Sequence, residues 1–204
     1  MNYNRDPKYM HPYIRKQLPQ ILAAITAKLP ADHRVAVVSA FRTPADQFEL
    51  YKQGRTFKNG KWVKTGSVVT NIDGYTKLSR HNYLPCTAID IGIFKGNEYL
   101  GNSPLYKHVK QGAKFGFDWG GDWSSFKDLP HLEISTSNLK PNIEKNIAIV
   151  WQQYLIKAGL YDGALDGIFG PKSTAALQSL TGESQRNKAA YDKLFDQFGP
   201  PENL

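Results

Sequence analysis

The chain has 204 residues and a mass of 23.0 kDa, and its 26 Lys and Arg against 18 Asp and Glu give a formal net charge of +8. A composition that is 41% hydrophobic and 12% aromatic excludes a disordered chain, and a single cysteine excludes both an internal disulfide framework and a multi-cysteine zinc site. No stretch approaches the roughly 20 apolar residues that span a bilayer, so we expect no stable membrane insertion.

The first 138 residues are predicted to mix helices with short strands. Apolar residues three and four apart indicate helices, and β-branched runs such as RVAVVS indicate buried strands. In chain order the patterns predict a helix over 13–29, a strand over 34–42, a short helix over 44–51, a long exposed loop over 53–77 with room for a hairpin, a strand over 87–94, a helix over 104–115 and a strand over 131–135. This mixture predicts an α+β domain with a small antiparallel sheet and flanking helices.

After residue 138 the pattern becomes wholly helical. Helices are predicted over 147–158, 171–180 and 186–198, and about 60 residues of this kind can form a small all-α module that folds alone. We therefore expect two domains, over 1–138 and 139–204.

The positive charge belongs to the first of these parts. Residues 1–138 hold 19 Lys and Arg against 11 Asp and Glu, whereas residues 139–204 hold 7 of each. The basic residues are scattered, without the dense arginine cluster of a nucleic-acid motif, so nucleic acid is not the expected partner. An anionic cell-wall polymer or surface fits this charge better.

Three residues could form a metal site. His81 lies in a polar loop, Asp90 within an apolar strand, and His131 at the start of another strand. A catalytic zinc site needs about three nitrogen or oxygen ligands and one open position, and a carboxylate on a buried strand is costly unless it is paired or metal-bound. Spacing alone leaves an alternative open, in which Asp90 forms a salt bridge and each histidine is a surface or satisfied core residue.

A zinc hydrolase also needs a base beside its water. Asp128, three residues before His131, fits by position, although a turn or helix-capping aspartate would look the same. Glu133, on the same strand face as His131, competes with it and could instead be a carboxylate that hydrogen-bonds a histidine ring.

The spacing Ser79-x-His81, Ala88-x-Asp90 and Asp128-x-x-His131 resembles the zinc D-Ala-D-Ala carboxypeptidase/L-alanyl-D-glutamate endopeptidase family, and phage endolysins of that family most of all. The segment SAFRTPADQFELYKQGRT, over 39–56, also resembles that family's Arg and Gln segment. The resemblance implies Zn²⁺ on the two histidines and Asp90.

The same resemblance implies roles for the other residues. Asp128 would be the general base, and Arg42 would orient the substrate or stabilise the oxyanion, unless it forms a structural ion pair. Ser79 and Gln47 would lie near the metal or line the cleft, although a loop serine and a helical glutamine often do neither.

One departure concerns the loop between the first two ligands. The family usually places seven residues from histidine to aspartate, and here the step from His81 to Asp90 is nine, so the loop must bulge by two residues. Cys86 could rival the ligands, although a small buried residue is the more common role. The other histidines, His11, His33 and His108, show no ligand pattern and are expected at the surface.

The C-terminal part resembles the three-helix peptidoglycan-binding domain found beside wall hydrolases, over about 147–180. Its glycines suit tight turns. On this resemblance Tyr161 and Phe169 are expected to be exposed rings that contact glycan.

Together these features predict a monomeric phage-type endolysin that cuts the peptidoglycan stem peptide, most simply between L-alanine and D-glutamate. The start of the chain has no apolar signal core, so we expect an enzyme made in the host cytoplasm that reaches the wall through a holin lesion. The alternatives are a D-Ala-D-Ala carboxypeptidase, an amidase at the sugar–peptide bond, and a non-catalytic wall-binding or virion protein.

Overall fold

A computed structural model describes residues 5–199, and residues 1–4 and 200–204 lie outside the described part. The α-helices are α1 (Pro12–Thr26), α2 (Pro44–Lys52), α3 (Ile143–Lys157), α4 (Pro171–Thr181) and α5 (Lys188–Phe198). The strands are β1 (His33–Ser39), β2 (Arg55–Lys58), β3 (Lys61–Lys64), β4 (Ala88–Lys95), β5 (Glu98–Tyr99), β6 (Phe117–Trp119) and β7 (His131–Ile134).

The main sheet is antiparallel and small, as predicted. Its strand order is β1-β4-β7-β6, and the short β5 pairs with β4. In the central strand β4, Ile89, Ile91 and Ile93 are fully buried in the core, whereas Asp90 and Gly92 point to the opposite face. That opposite face is the floor of the cleft described below.

The helix predicted over 104–115 has 3₁₀ rather than α geometry along Pro104–Phe115. Its buried residues are Tyr106, Val109 and Gly112, a repeat of three that matches the 3.0 residues per turn of a 3₁₀ helix. At Gly112 an added Cβ would lie 2.6 Å from the Leu132 side chain, so a glycine is needed where this segment crosses β7.

The long segment over 53–77 contains the β2–β3 hairpin and otherwise lacks helix or strand. The short strands β5 and β6 were not predicted, because two- and three-residue strands carry too little alternation to be recognised.

The three C-terminal helices pack on the rest of the chain and share its core. Tyr9 and Met10, just before α1, belong to the same buried cluster as Trp151 of α3 and Tyr191 of α5. The rings of Tyr9 and Tyr191 lie 6.1 Å apart, and those of Trp151 and Tyr191 lie 5.4 Å apart. Within residues 5–199, the C-terminal helices therefore share a buried core with the segment that precedes α1.

Polar groups also join the two parts. The Tyr9 hydroxyl donates to Asp192 at 2.6 Å, and Lys8 forms ion pairs with Asp192 and Asp196 at 3.0 and 2.8 Å. His11, expected at the surface, is buried, and its Nε2 lies 2.8 Å from Oδ1 of Asn146. That expectation was wrong because the partner of His11 comes from a helix 135 residues away.

Among residues 5–199, no helix is both long enough and apolar enough to cross a membrane.

The buried His11 predicts a loss of stability in acid. Burial lowers its pKa to about 4, against about 6.5 when the chain is unfolded, so between these values the unfolded state binds the extra proton. The free energy of unfolding should therefore fall as the pH drops from 7 to 4, by up to about 3 kcal/mol from this residue. Urea unfolding of the wild type and of His11→Gln, across this pH range, measures the contribution. If both proteins show the same pH slope, His11 is not the responsible group.

Candidate functional site

The strand pairing places the candidate ligands side by side. Asp90 of β4 lies directly opposite His131 of β7 on one side and Ser39 of β1 on the other. Directly opposed residues in an antiparallel pair have Cβ atoms about 5 Å apart. His81 reaches the same point from the loop before β4, where its Nδ1 lies 2.6 Å from the carbonyl oxygen of Ala40.

The three side chains converge on one point. Nε2 of His81 lies 3.3 Å from Oδ1 of Asp90, Nδ1 of His131 lies 3.1 Å from the same oxygen, and the two nitrogens are 3.3 Å apart. Tetrahedral zinc with bonds of about 2.0–2.1 Å spaces its ligand atoms about 3.3 Å apart. Two imidazoles and one carboxylate at these separations fit a zinc ion and leave its fourth position free. Among residues 5–199, this trio is the group that could hold a metal ion.

Outer contacts orient both imidazoles. The Ala40 carbonyl can only accept a hydrogen bond, so Nδ1 of His81 carries a proton and its Nε2 faces Oδ1 of Asp90. On His131, Nε2 lies 3.1 Å from Oε2 of Glu133, and this leaves Nδ1 to face Asp90. Glu133 is thus placed as the carboxylate on a histidine ring, one of its two predicted roles.

The buried charges compensate one another. Burial alone would raise the pKa of Asp90, but the charges of His81 and Arg42 and hydrogen bonds from both histidines hold it well below its usual value. Burial lowers the pKa of His81. Burial would also lower the pKa of His131, but its hydrogen bonds to Asp90 and Glu133 outweigh this and raise it to about 9. The carboxylate is therefore ionised, as a metal ligand must be.

Asp128 lies beside the trio on a tight turn. Its backbone N–H donates to Gly120 at 3.1 Å, and its carbonyl accepts from the backbone N–H of His131 at 3.2 Å. Burial, and then the negative charge of Asp90, raise the pKa of Asp128. A carboxyl group with a raised pKa at the edge of a cleft suits proton transfer.

Arg42 is engaged with the candidate ligand. Its Nη2 donates to Oδ2 of Asp90 in a very short contact, its Nε donates to Oγ of Ser39 at 3.0 Å, and its Nη1 donates to Oε1 of Gln47 at 3.3 Å. This ion pair is the alternative role considered for Arg42. It fixes one carboxylate oxygen and leaves the other facing both histidines.

Gln47 and Ser79, expected near the metal, are both buried and both border the cleft. Gln47 joins Arg42 to the carbonyl of Ile72, which its Nε2 contacts at 3.0 Å. The Ser79 hydroxyl accepts from the backbone N–H of His81 at 3.3 Å, so it shapes the loop that carries this ligand.

A cleft of about 660 Å³ opens over this group. Arg42, His81, Asp128 and His131 are among its polar lining residues, and most of the exposed lining surface is apolar. The apolar lining residues are Val38, Leu50, Val69, Ile72, Phe94, Tyr99, Trp123 and Phe126. A mainly apolar cleft with a few polar groups is typical of a substrate site.

Cys86 is fully buried, as expected for its more common role, and lies outside the candidate metal trio; burial raises its pKa to about 12. The two C-terminal rings differ from their expected surroundings. Tyr161 is 9% exposed, and its hydroxyl donates to the Ala164 carbonyl at 3.1 Å, so the exposed ring expected there is wrong. Phe169 is half-buried beneath the guanidinium of Arg186, which lies 5.1 Å from its ring centre.

Two residues that support the site were missed from the sequence. The ring of Trp123 lies 5.1 Å from that of His131 and walls the cleft. Gly120 lets the Asp128–His131 turn approach the backbone closely. The Gly-Gly pair before Asp122 was visible in the sequence, but only the fold shows what packs against it.

Comparisons with known proteins point to a peptidase family. A family model described as D-alanyl-D-alanine carboxypeptidase, of the M15 peptidases, matches residues 73–134, which include the three candidate ligands and Asp128. The chain is 39% identical over 139 residues to the peptidoglycan L-alanyl-D-glutamate endopeptidase CwlK of Bacillus subtilis, which covers 63% of this chain and 75% of that protein.

Two further matches are more limited. The L-alanyl-D-glutamate peptidase of Listeria phage A118 is 33% identical over 66 residues, 30% of this chain and 24% of that protein. The crystal structure of the Serratia marcescens L-Ala D-Glu endopeptidase ChiX aligns with a TM-score of 0.41 and 19% identity, covering 64% of this chain and 84% of that one.

Gly120→Ala should disturb the turn that carries Asp128. The added Cβ would overlap the Asp128 carbonyl oxygen and lie 3.0 Å from Cβ of His131. We expect the free energy of unfolding to fall by about 1–3 kcal/mol, as for other overpacked sites. Gly66→Ala is the matched control, since its added Cβ would meet only Cα of Gly54 at 3.8 Å, an ordinary van der Waals distance. Chemical denaturation compares the two, and equal stabilities would show that the turn has room to move.

Proposed function

The chain belongs to the M15 family of metallopeptidases, and we propose that it is a zinc-dependent endopeptidase that cuts the peptidoglycan stem peptide between L-alanine and D-glutamate. The observation that carries the proposal is the convergence of His81, Asp90 and His131, with ligand atoms 3.1–3.3 Å apart, on the floor of a cleft that also holds Asp128. The proposed specificity follows the activities for which the CwlK and phage A118 relatives are named.

His81 through Nε2, Asp90 through Oδ1 and His131 through Nδ1 would hold the zinc. When bound, zinc supplies Lewis acidity, which polarises a carbonyl group and makes a water molecule more acidic. The contacts of the histidines with Ala40 and Glu133 fix the ring orientations that this needs.

Asp128 is assigned the proton transfers. It stands at the cleft edge, and its raised pKa brings its protonation closer to neutral pH than that of an ordinary carboxyl group. In the proposal Asp128 takes a proton from the attacking water and delivers one to the leaving amine. The carboxyl group therefore returns to its starting protonation state.

Arg42 is assigned two tasks. Its guanidinium holds Asp90 in place, and it also borders the cleft, where its fixed charge favours developing negative charge on the substrate carbonyl.

The proposal extends to the biological role. A net charge of +8 suits a peptidase that works on an anionic cell wall. A phage protein is also among the relatives of this chain. We propose that the chain acts as an endolysin and that residues 139–204 help it to engage peptidoglycan, although Tyr161 and Phe169 are not fully exposed rings.

Digestion of purified muropeptides tests the bond specificity. The expected products are fragments with a new N-terminal D-glutamate, identified by mass spectrometry. Free D-alanine as the sole product would instead favour a carboxypeptidase, the activity named in the matching family model. Fragments separated at the sugar–peptide bond would show an amidase, and both results would overturn the proposed specificity.

Asp128→Asn tests the proton transfers. The amide keeps the shape of the side chain but cannot accept the proton, so kcat should fall by about 10²–10⁴-fold while bound zinc stays near one per chain. Asp122→Asn is the control, because Asp122 lies on the same segment but pairs with Lys110 at the surface. Measured zinc content and muropeptide turnover distinguish the outcomes. An Asp128→Asn enzyme within tenfold of the wild type would remove Asp128 from the mechanism.

A further inference from the structure

The loop that presents His81 is closed at its base. The backbone N–H of Thr87 donates to the Arg80 carbonyl at 3.0 Å, so residues 81–86 form a compact excursion between two candidate ligands. His81 stands at its start, and Asp90 follows it on β4. The position of the imidazole therefore depends on how this loop is held.

The outer end of the loop is held by the C-terminal helices. The indole Nε1 of Trp151, on α3, donates to the Leu84 carbonyl at 2.6 Å. Trp151 is fully buried, and Leu84 is 9% exposed, so this hydrogen bond is shielded from water. A carbonyl three residues from a candidate ligand is thus fixed by a residue 67 positions further along the chain.

The far side of the loop is fixed by the segment before α1. Cys86 donates its backbone N–H to the Tyr9 carbonyl at 2.8 Å and accepts from the backbone N–H of His11 at 2.9 Å. Tyr9 and His11 in turn contact Asp192 and Asn146 of the C-terminal helices. The N-terminal segment therefore lies between the loop and the helical part, and both hold the loop.

We propose that residues 139–199, through the Trp151–Leu84 hydrogen bond, position the His81 loop for metal binding and thus form a structural part of the peptidase site. This rests on the proposed function in that His81 is taken as a zinc ligand. Trp151 is a positioning residue, since it touches neither substrate nor metal ligand.

The physical reason is preorganisation. Fixing one residue of a flexible loop costs about 1–2 kcal/mol in backbone entropy, and a loop that is already fixed does not pay this cost when the metal binds. If Trp151 holds the loop, the metal-free and metal-bound proteins share one arrangement of His81. If the loop is loose, part of the metal affinity is lost in ordering it.

Trp151→Phe is the direct test, because it keeps an aromatic ring in the core but removes the N–H donor. Thr181→Val is the matched control. It keeps a side chain of similar shape in the buried C-terminal part and removes a hydroxyl that donates to the Leu177 carbonyl at 2.7 Å and accepts from the backbone N–H of Glu183 at 3.1 Å. Substitution of Trp151 by benzothienylalanine, which has sulfur in place of the N–H and nearly the same shape, replaces the phenylalanine variant if that variant fails to fold.

Two measurements are needed, both well below the midpoint of thermal unfolding. Competition with a chromogenic chelator gives the zinc Kd, which should rise about 3- to 10-fold in the Trp151 variant, as expected for the loss of one hydrogen bond that holds the loop, and stay unchanged in Thr181→Val. Hydrogen exchange of a peptide over 82–87 should be faster in the Trp151 variant alone, in metal-free protein.

The outcomes are distinct. Equal zinc Kd and equal loop exchange in all three proteins would overturn the proposal and leave Trp151 as ordinary core packing. Faster loop exchange with an unchanged zinc Kd would also overturn it, because the loop would be held without consequence for the metal. If the wild type binds no zinc, the proposed function fails, and loop exchange still decides whether Trp151 holds the loop.

Discussion

The site depends on one carboxylate, Asp90, which lies at 8% exposure in the central strand of the sheet. A buried charge on a strand is costly unless it is paired, and here Arg42 contacts one oxygen while both candidate histidines contact the other. Each of these partners comes from a different part of the chain. The ends of β1 and β7 and the loop before β4 must therefore meet at this point of the sheet.

The sequence predicted this carboxylate because strands alternate. Isoleucines at 89, 91 and 93 mark one face of β4 as core, so Asp90 had to lie on the other face. His131 and Glu133 follow the same period of two, and this placed Glu133 beside the histidine ring before the pairing was known. Local periodicity thus predicted which strand face these residues occupy and left open whether they bind a metal. The family resemblance supplied the expectation of a metal and of its ligands.

What the sequence could not predict depends on contacts between distant segments. His11 lacked a visible partner because Asn146 comes from another helix, and Tyr161 is covered by a turn that folds back on its own hydroxyl. In the 3₁₀ segment over 104–115 the buried residues repeat every three positions. Over so few turns this pattern also fits an α-helix with 3.6 residues per turn. In each case the local pattern allowed two structures, and packing selected one.

The same distinction applies to the division of the chain. Composition and charge separate residues 139–204 sharply from the rest of the chain. Such a change in pattern marks where a new arrangement of elements begins, but it does not say how the hydrophobic core is divided. Here one buried cluster includes Tyr9, Trp151 and Tyr191, and carboxylates of α5 pair with Lys8. The neutral part thus supplies negative charge where it meets the basic part. Positive charge remains on the exposed lysines of the β2–β3 hairpin, close in sequence to the cleft wall at 69–72, and a field of this sign is the one that the proposed anionic substrate would require.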